Sequence, residues 1–474
     1  MNIQDIFRRT PAAAGSATHV PVAILGAEEA GRALAQTLES DPNAERRAVF
    51  FISRDGGDGD DVAGLHVYGV ERAEAAIRRQ GVREVILAIP GAESKELLEL
   101  YNRYTALGCK VRVGESGAGR VRDFSVEDLL FHKPAEIDED AALDYYRGKT
   151  VLVTGGGGCV GRELCRQLAR FHPAKLVVLD VCESGAYALQ QDLELAYGRD
   201  LDLCVEIGSV RDRRCLDSVF GRYKPQIVFH AAANNNVPLM EHNSAEAVKN
   251  NVFGTRNTAD YAEAYGAEKF ILLSADKAVR PTSVVGATKR LGELLVHSRK
   301  KSATVFAAVR FGNVLDSEAS IVPLFRRQIA EGGPVTITDK RVSRYFITLA
   351  EAARLTVAAG VLAGNGEVLV LGTGRPVRIY DLAVNMIFLA GLDPDRDIEI
   401  REIGLRPGEK LVEELFMDPE HAEASANDHI FIEYEEPLRR DEIEVKVTVL
   451  SDAVSNGSDM RATMKRVIPT FQGD

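Results

Sequence analysis

Three ionisable side chains in one stretch of the chain have the types and spacing for proton transfer. Ser274-Ala275-Asp276-Lys277 follows an apolar run, and Lys289 lies twelve residues beyond Lys277 in PTSVVGATKR. A carboxyl group beside an amine supplies an acid and a base, and a second amine adds positive potential. An Asp-Lys pair on a surface, with no chemistry, is the plain alternative. Histidines and cysteines add little. The nine histidines show no HxxxH spacing, and the six cysteines (Cys109, Cys159, Cys165, Cys182, Cys204, Cys215) form no CxxC pair. Reduced, mostly buried thiols are expected, and no metal site. His230 and His242 read as core or capping residues, and Cys159 as a small packing residue with no nearby His or Lys to activate it.

A second constellation is built of glycine. Thr154-Gly155-Gly156-Gly157-Gly158-Cys159-Val160-Gly161 places Gly155, Gly158 and Gly161 at GxxGxxG spacing between an apolar strand-like run and a helical pattern. Such a turn exposes backbone N–H groups and the positive end of a helix to a pyrophosphate. The next strand ends in Asp180, placed for a ribose hydroxyl, and an acid there favours NAD over NADP. A glycine-rich helix cap is the alternative. VAILGAEEAGRALAQTL, from Val22, repeats the strand-turn-helix arrangement. Its turn, Gly26-Ala27-Glu28-Glu29-Ala30-Gly31, has Glu28 where the middle glycine of GxGxxG belongs. A carboxylate there repels phosphate, so this unit reads as a scaffold with weak or no dinucleotide affinity.

The elements that must position these residues follow from the apolar pattern. Strands and helices alternate twice, predicting an α/β protein with two Rossmann-like, doubly wound parallel sheets. Residues 1–18 read as a flexible arm, 19–122 as the first domain and 123–149 as an acidic linker. Residues 150–474 read as the second domain, with a small C-terminal lobe. The tail after Ala422, with IFIEYEE and the strand-like VKVTVL, gives no catalytic signal. The 474 residues suit two or three domains. A net charge of −12 without a Lys/Arg-rich block argues against nucleic acid. The longest apolar stretches are about half of the roughly 20 residues of a membrane-spanning helix, so a cytoplasmic, non-membrane protein is expected.

The ordered motifs TGGGGCVGREL, FHAAANNNVPLMEHNSAEAVKNNVFGT, LLSADKAVRPTSVVGATKR, VRFGNVL, SRYF and LRPGEKLVEEL closely resemble a known family across roughly residues 20–435. It is the family of polysaccharide-biosynthesis UDP-N-acetylglucosamine 4,6-dehydratases, within the extended short-chain dehydrogenase/reductases. The resemblance implies bound NAD, oxidation of the sugar at C4, loss of water across C5 and C6, and return of hydride to C6. It implies Asp276 as general acid, Lys277 as base at C5 with its pKa lowered by burial or a neighbouring cation, and Lys289 at the nicotinamide ribose. Cofactor contacts would come from Gly155, Gly158, Cys159, Val160, Gly161, Asp180, Ser209, Val210, Ala231, Ala232 and Lys289. A UDP-linked sugar would meet Asn234, Asn235, Asn236, Asn313, Arg344 and Arg406, the arginines taking the diphosphate. A homo-oligomer is expected, without the transmembrane helices of long relatives.

Several residues depart from the family pattern. Val285 stands where most short-chain dehydrogenases carry tyrosine and long dehydratases often carry methionine. Ala275 replaces threonine, Ser209 replaces aspartate, and Asn234-Asn235-Asn236 replaces His-Lys-His. Asp316 and Glu318 replace glycine and arginine, adding negative charge where an anionic substrate is expected. A 4,6-dehydratase, a related epimerase or oxidoreductase, and a non-catalytic NAD-binding protein therefore all remain open.

Overall fold

The computed structural model describes residues 19–473 apart from 41–44, 55–57, 93, 115–119, 125–127, 129–134, 316, 318–319, 373 and 435–437. The arm read over residues 1–18, and Asp316 and Glu318, lie outside the described residues. Two compact units divide the chain, Met1–Lys133 and Pro134–Asp474.

In the first unit, β1 (Val20–Leu25), β2 (Arg46–Ile52), β3 (Gly59–Val62), β4 (Leu65–Tyr68), β5 (Glu84–Leu87), β6 (Lys110–Gly114) and β7 (Val121–Asp123) form one sheet in the order β3-β4-β2-β1-β5-β6-β7. The strands β4, β2, β1, β5 and β6 are parallel, and the outer two are antiparallel. β1 is buried from Val22 to Leu25 because helices cover both faces of its parallel sheet.

The second unit carries β8 (Thr150–Thr154), β9 (Lys175–Asp180), β10 (Leu203–Ile207), β11 (Ile227–His230), β12 (Lys269–Leu273) and β13 (Val305–Arg310). They run parallel in the order β10-β9-β8-β11-β12-β13. Beyond β13 follow a parallel strand, Glu367–Leu371, and two antiparallel ones, Ile430–Glu433 and Ala422–Ala424. Alternate residues of β8 serve two cores. Val151 and Val153 face one with Leu164, Leu168 and Phe229, while Leu152 faces the other with Val177, Phe220 and Phe270. The order reverses between β8 and β11, and at such a switch point the strand ends leave a crevice for a ligand.

Two local expectations are corrected. Part of the span read as linker is a helix, Glu139–Tyr146, capped by Asp138 and tied into the second unit by Tyr146, whose hydroxyl donates to the Val357 carbonyl at 2.7 Å. VKVTVL is helical, inside Arg440–Asn456. Ile443, Val447, Leu450 and Ala453 recur at helical spacing and bury against Val284, Leu291 and Leu295. That packing overrides the β-branched preference for strand.

Candidate active site

The glycine turn leaves the C-terminal end of β8 and opens the helix Cys159–Ala169. Gly155 has φ +72°, and a Cβ there would lie 2.5 Å from the Ala232 nitrogen. A Cβ on Gly161 would meet the Gly155 carbonyl oxygen at 2.0 Å. Both glycines therefore let chain segments touch, whereas Gly158 sits in extended backbone (φ −77°, ψ 166°) as the helix cap. Asp180 braces the turn. Its two carboxylate oxygens accept from the Gly157 and Cys182 N–H groups, each at 2.8 Å, leaving lone pairs for further donors.

From this turn a cavity of about 550 Å³ extends past the ends of β11 and β12 into the C-terminal lobe. It brings together Gly155, Gly158, Cys159, Val160, Gly161, Ala231, Asn235, Asn236, Lys277, Lys289, Asn313, Arg344 and Arg406 from the expected set. Six expected residues do not line it. Asp180 braces the turn from outside, and Ala232 abuts Gly155. Ser209 accepts from the Arg211 N–H at 3.2 Å, and Val210 is buried against Gly254. Asn234 is held by its backbone, its N–H donating to Asn251 Oδ1 at 2.7 Å and its carbonyl accepting from Asn251 Nδ2 at 3.0 Å. Asp276 is fully buried.

Asp276 and Lys277 lie on one short helical turn after β12. Lys277 Nζ donates to Asp276 Oδ1 at 3.0 Å and to Asn313 Oδ1 at 2.8 Å. Asp276 Oδ2 is buried without a hydrogen-bond partner. Burial raises the Asp276 pKa, opposed by the Lys277 charge and reinforced by Glu413. The amine behaves contrary to expectation. Burial disfavours the Lys277 charge, but the carboxylates of Asp276 and Glu413 outweigh it and its pKa is raised. The lowered amine is Lys289, which burial pulls down to about 8 against the opposing charge of Glu293.

Lys289 projects from the helix Val284–His297, capped by Ser283, whose Oγ accepts from the Gly286 N–H at 3.1 Å. Its Nζ donates to the Leu273 carbonyl at 2.9 Å. His230 is a core residue, bonded to Thr154 Oγ1 at 2.7 Å and Thr255 Oγ1 at 3.0 Å. Burial lowers its pKa to about 3, so its imidazole is neutral. Of the asparagine run, Asn236 spends its side-chain oxygen on the Leu239 N–H at 3.0 Å, capping the helix Val237–His242.

Other residues that build the site were not singled out from the sequence. Asn251, on a π-helical turn over Val248–Gly254, clamps Asn234 and also donates to Thr288 Oγ1 at 2.9 Å. Arg310 is fully buried in β13 and joins Glu293, on the Lys289 helix, to Glu433 and the Leu415 carbonyl. This network fixes the returning segment that carries Glu409 and Glu413, both of which line the cavity. Glu409 accepts from Arg344 Nη2 at 3.2 Å and from the Arg406 N–H at 3.0 Å. The two glutamates stood in the quoted LRPGEKLVEEL run. In the sequence nothing distinguishes them from the half-buried Glu414.

The family described as "Polysaccharide biosynthesis protein" matches residues 151–435. The chain belongs to that family. It is 41% identical over 413 residues to the probable polysaccharide biosynthesis protein EpsC of Bacillus subtilis (strain 168), covering 84% of this chain and 69% of that protein. It is 42% identical over 357 residues to the capsular polysaccharide biosynthesis protein CapD of Staphylococcus aureus, covering 73% of this chain and 59% of that one. A UDP-N-acetylglucosamine 4,6-dehydratase (inverting) of Campylobacter jejuni subsp. jejuni serotype O:2 is 30% identical over 296 residues, which cover 61% of this chain and 82% of the dehydratase. Among solved structures, Pen from Bacillus thuringiensis is 33% identical with a TM-score of 0.56, covering 62% of this chain and 92% of its own. The dTDP-glucose 4,6-dehydratase DesIV from Streptomyces venezuelae, solved with NAD and TYD bound, shares the fold. It is 22% identical with a TM-score of 0.51, over 56% of this chain and 88% of DesIV. The family member thus has the architecture of nucleotide-sugar dehydratases, and no described helix is long and apolar enough to cross a membrane.

Proposed function

We propose that the chain is an NAD-dependent nucleotide-sugar 4,6-dehydratase acting on a UDP-N-acetylhexosamine. The observation that carries this reading is the Lys277 amine on the wall of the cavity that also takes in the glycine turn and Lys289, joined at 3.0 Å to the buried Asp276 behind it. The residues fit a dinucleotide. The N–H groups of the turn and the start of the Cys159–Ala169 helix would hold the pyrophosphate, Asp180 would take ribose hydroxyls, and Lys289 would add positive potential at the second ribose. Bound NAD would supply the reversible hydride acceptor that oxidation at C4 and reduction at C6 require.

The chain's own part is proton transfer. A proton moved from Lys277 to Asp276 along their hydrogen bond converts the ion pair into a neutral amine and a carboxylic acid, with no change in protons bound. The raised Lys277 pKa makes the ion pair the resting form, and exclusion of water lowers the cost of reaching the neutral form. The amine then takes the C5 proton, acidified by the C4 ketone, and the pair returns a proton to the departing C6 hydroxyl, so that H and OH leave as water. Because Asp276 does not line the cavity, its proton reaches the sugar through Lys277 Nζ. Asn313 fixes the amine from the other side, and Asn235 offers an amide to the sugar. Arg344 and Arg406 face the diphosphate.

Val285 lines the cavity, and no tyrosine does among the described residues. An epimerase that depends on a tyrosine at that position is therefore disfavoured. Incubation with a panel of UDP- and dTDP-sugars, followed by mass spectrometry, tests the proposal. The expected product is lighter than its substrate by one water. An isomer of unchanged mass, or no product from any sugar, contradicts it.

A further inference from the structure

The Glu413 carboxylate pairs only loosely with Lys410, at 3.6 Å, and its charge supports the ammonium of Lys277. The segment around it is pinned to the strand Ser343–Arg344, with the Ser343 N–H donating to the Leu411 carbonyl at 2.9 Å and Ser343 bridging to Val412. Side chains alternate along such an extended segment. Val412 is exposed and Glu414 reaches Arg280 at the surface, while Glu413 and Leu415 turn inward at 5% and 6% exposure. Position 413 is thus an inward position of the kind that Leu415 fills with an apolar side chain.

The carboxylate at position 413 is also incompletely partnered. Glu413 Oε2 is buried without a hydrogen bond. The ammonium of Lys410 stands 3.6 Å away, beyond hydrogen-bond distance, and donates instead to the Val279 carbonyl at 2.6 Å. A buried acceptor left open is destabilising, more so when charged, and a leucine would avoid that cost. The orphan oxygen belongs to a residue on the cavity wall, together with Lys277, Asn313 and Arg344.

We propose that Glu413 is a specificity-determining residue, whose Oε2 accepts a hydrogen bond from a hydroxyl or amide N–H donor of the sugar ring. This deepens, and rests on, the reading of the cavity as a nucleotide-sugar site. A ring that presents no donor at this point leaves the carboxylate open and is rejected. Hydrogen-bonding sites discriminate more sharply than apolar ones for this reason. The contact is assigned to the sugar because Glu413 shares the cavity wall with Lys277 and Asn313.

The experiment leaves the wild-type protein intact and removes donors from the ligand one at a time. Single deoxyfluoro analogues of the turned-over nucleotide-sugar delete hydroxyl donors, and the hexose lacking the N-acetyl group deletes the amide donor. Because the 4- and 6-deoxyfluoro analogues lack the hydroxyl that is oxidised or expelled, affinity is read by calorimetry, and one analogue is expected to raise Kd about tenfold to a hundredfold. With Glu413→Gln and Glu413→Leu the penalty for that analogue falls to within twofold, while affinity for UDP alone stays at the wild-type value. An analogue penalty that persists unchanged in both variants overturns the proposal, as does an equal loss of affinity for UDP and nucleotide-sugar. If the wild type converts no nucleotide-sugar, the reading of the reaction fails first. Calorimetric affinities for the same analogues then test Glu413 separately.

Discussion

The two units of the chain build closely similar strand-turn-helix motifs, with different residues at the middle of the turn. In both, the first glycine touches the strand across the switch point, since a Cβ on Gly26 would lie 2.6 Å from the Ala88 oxygen and one on Gly155 2.5 Å from the Ala232 nitrogen. In both, the last glycine packs on the first, with Gly31 against Gly26 and Gly161 against Gly155. The backbone hydrogen bonds correspond as well, Gly26 to Ile52 and Gly155 to Leu179, then Arg32 to Glu28 and Arg162 to Gly158. The second turn is one residue longer, Gly155 to Gly161 against Gly26 to Gly31, and the units differ at three further places. Glu28 stands for Gly158, Ser53 for Asp180, and the paired Leu25 and Leu87 for Thr154 and His230. Two glycines of the motif therefore serve helix-to-strand packing in both units. The middle glycine and the acid are found only in the second unit, to which the proposed function assigns the dinucleotide.

Exchanging the middle residue breaks this contrast most severely. Gly158→Glu copies Glu28 into the second unit, at a backbone conformation any residue adopts and with only the Gly155 oxygen, at 3.3 Å, near the new Cβ. The fold is expected to persist while bound NAD and turnover fall about a thousandfold, equivalent to roughly 4 kcal/mol. Nucleotide content after denaturation, read beside the circular dichroism spectrum, checks this. Retained NAD would show that the middle glycine is as structural as the others.

The polar pair supplies a pH-dependent difference. Folding lowers the His230 pKa from 6.5 to about 3. The unfolded chain then binds the extra proton between those values, so stability is full above about pH 6.5 and falls as the pH drops toward 3. The loss approaches about 4 kcal/mol in the second unit. Leu87 gives the first unit no such group. Hydrogen exchange from pH 7 to 4 is expected to show β11 losing protection before β5, and His230→Leu to flatten that slope. Equal acid sensitivity in both strands would refute the assignment.

Packing should fail alike in the two units. Gly31→Ala and Gly161→Ala each force a Cβ to within 1.8 Å and 2.0 Å of a carbonyl oxygen, and each is expected to cost roughly 3 kcal/mol within its own unit. Denaturant unfolding with unit-resolved hydrogen exchange checks this, and a loss confined to the second unit would contradict it. The smallest effect is the reverse exchange. Glu28→Gly with Ser53→Asp is expected to bring the first unit only millimolar affinity for NAD, seen by NMR shifts at Gly26 and Gly31.

How far the sequence reveals these features follows from the range of the interactions. Both strand-turn-helix units are visible because glycine spacing and apolar runs are local signals. Asp180 and Lys289 are visible because fixed offsets tie them to those signals. Glu413 and Asn251 are not, since their importance comes from contacts far away in the chain and from an orphaned oxygen that only packing creates. The direction of the Lys277 pKa was misjudged for the same reason. Burial alone lowers an amine, and the second carboxylate that reverses this lies 136 residues further on. VKVTVL failed because its helical spacing shows only once Ile443 and Ala453 are included.

The central claim, that Lys277 removes a proton from C5 of a nucleotide-sugar, is tested most directly by running the reaction in D₂O and reading the product by mass spectrometry and NMR. The account predicts a product that has lost water and carries one deuterium at C5, with both changes absent in Lys277→Met that retains its NAD. A product of unchanged mass with protium at C5, or full turnover in Lys277→Met, would contradict it.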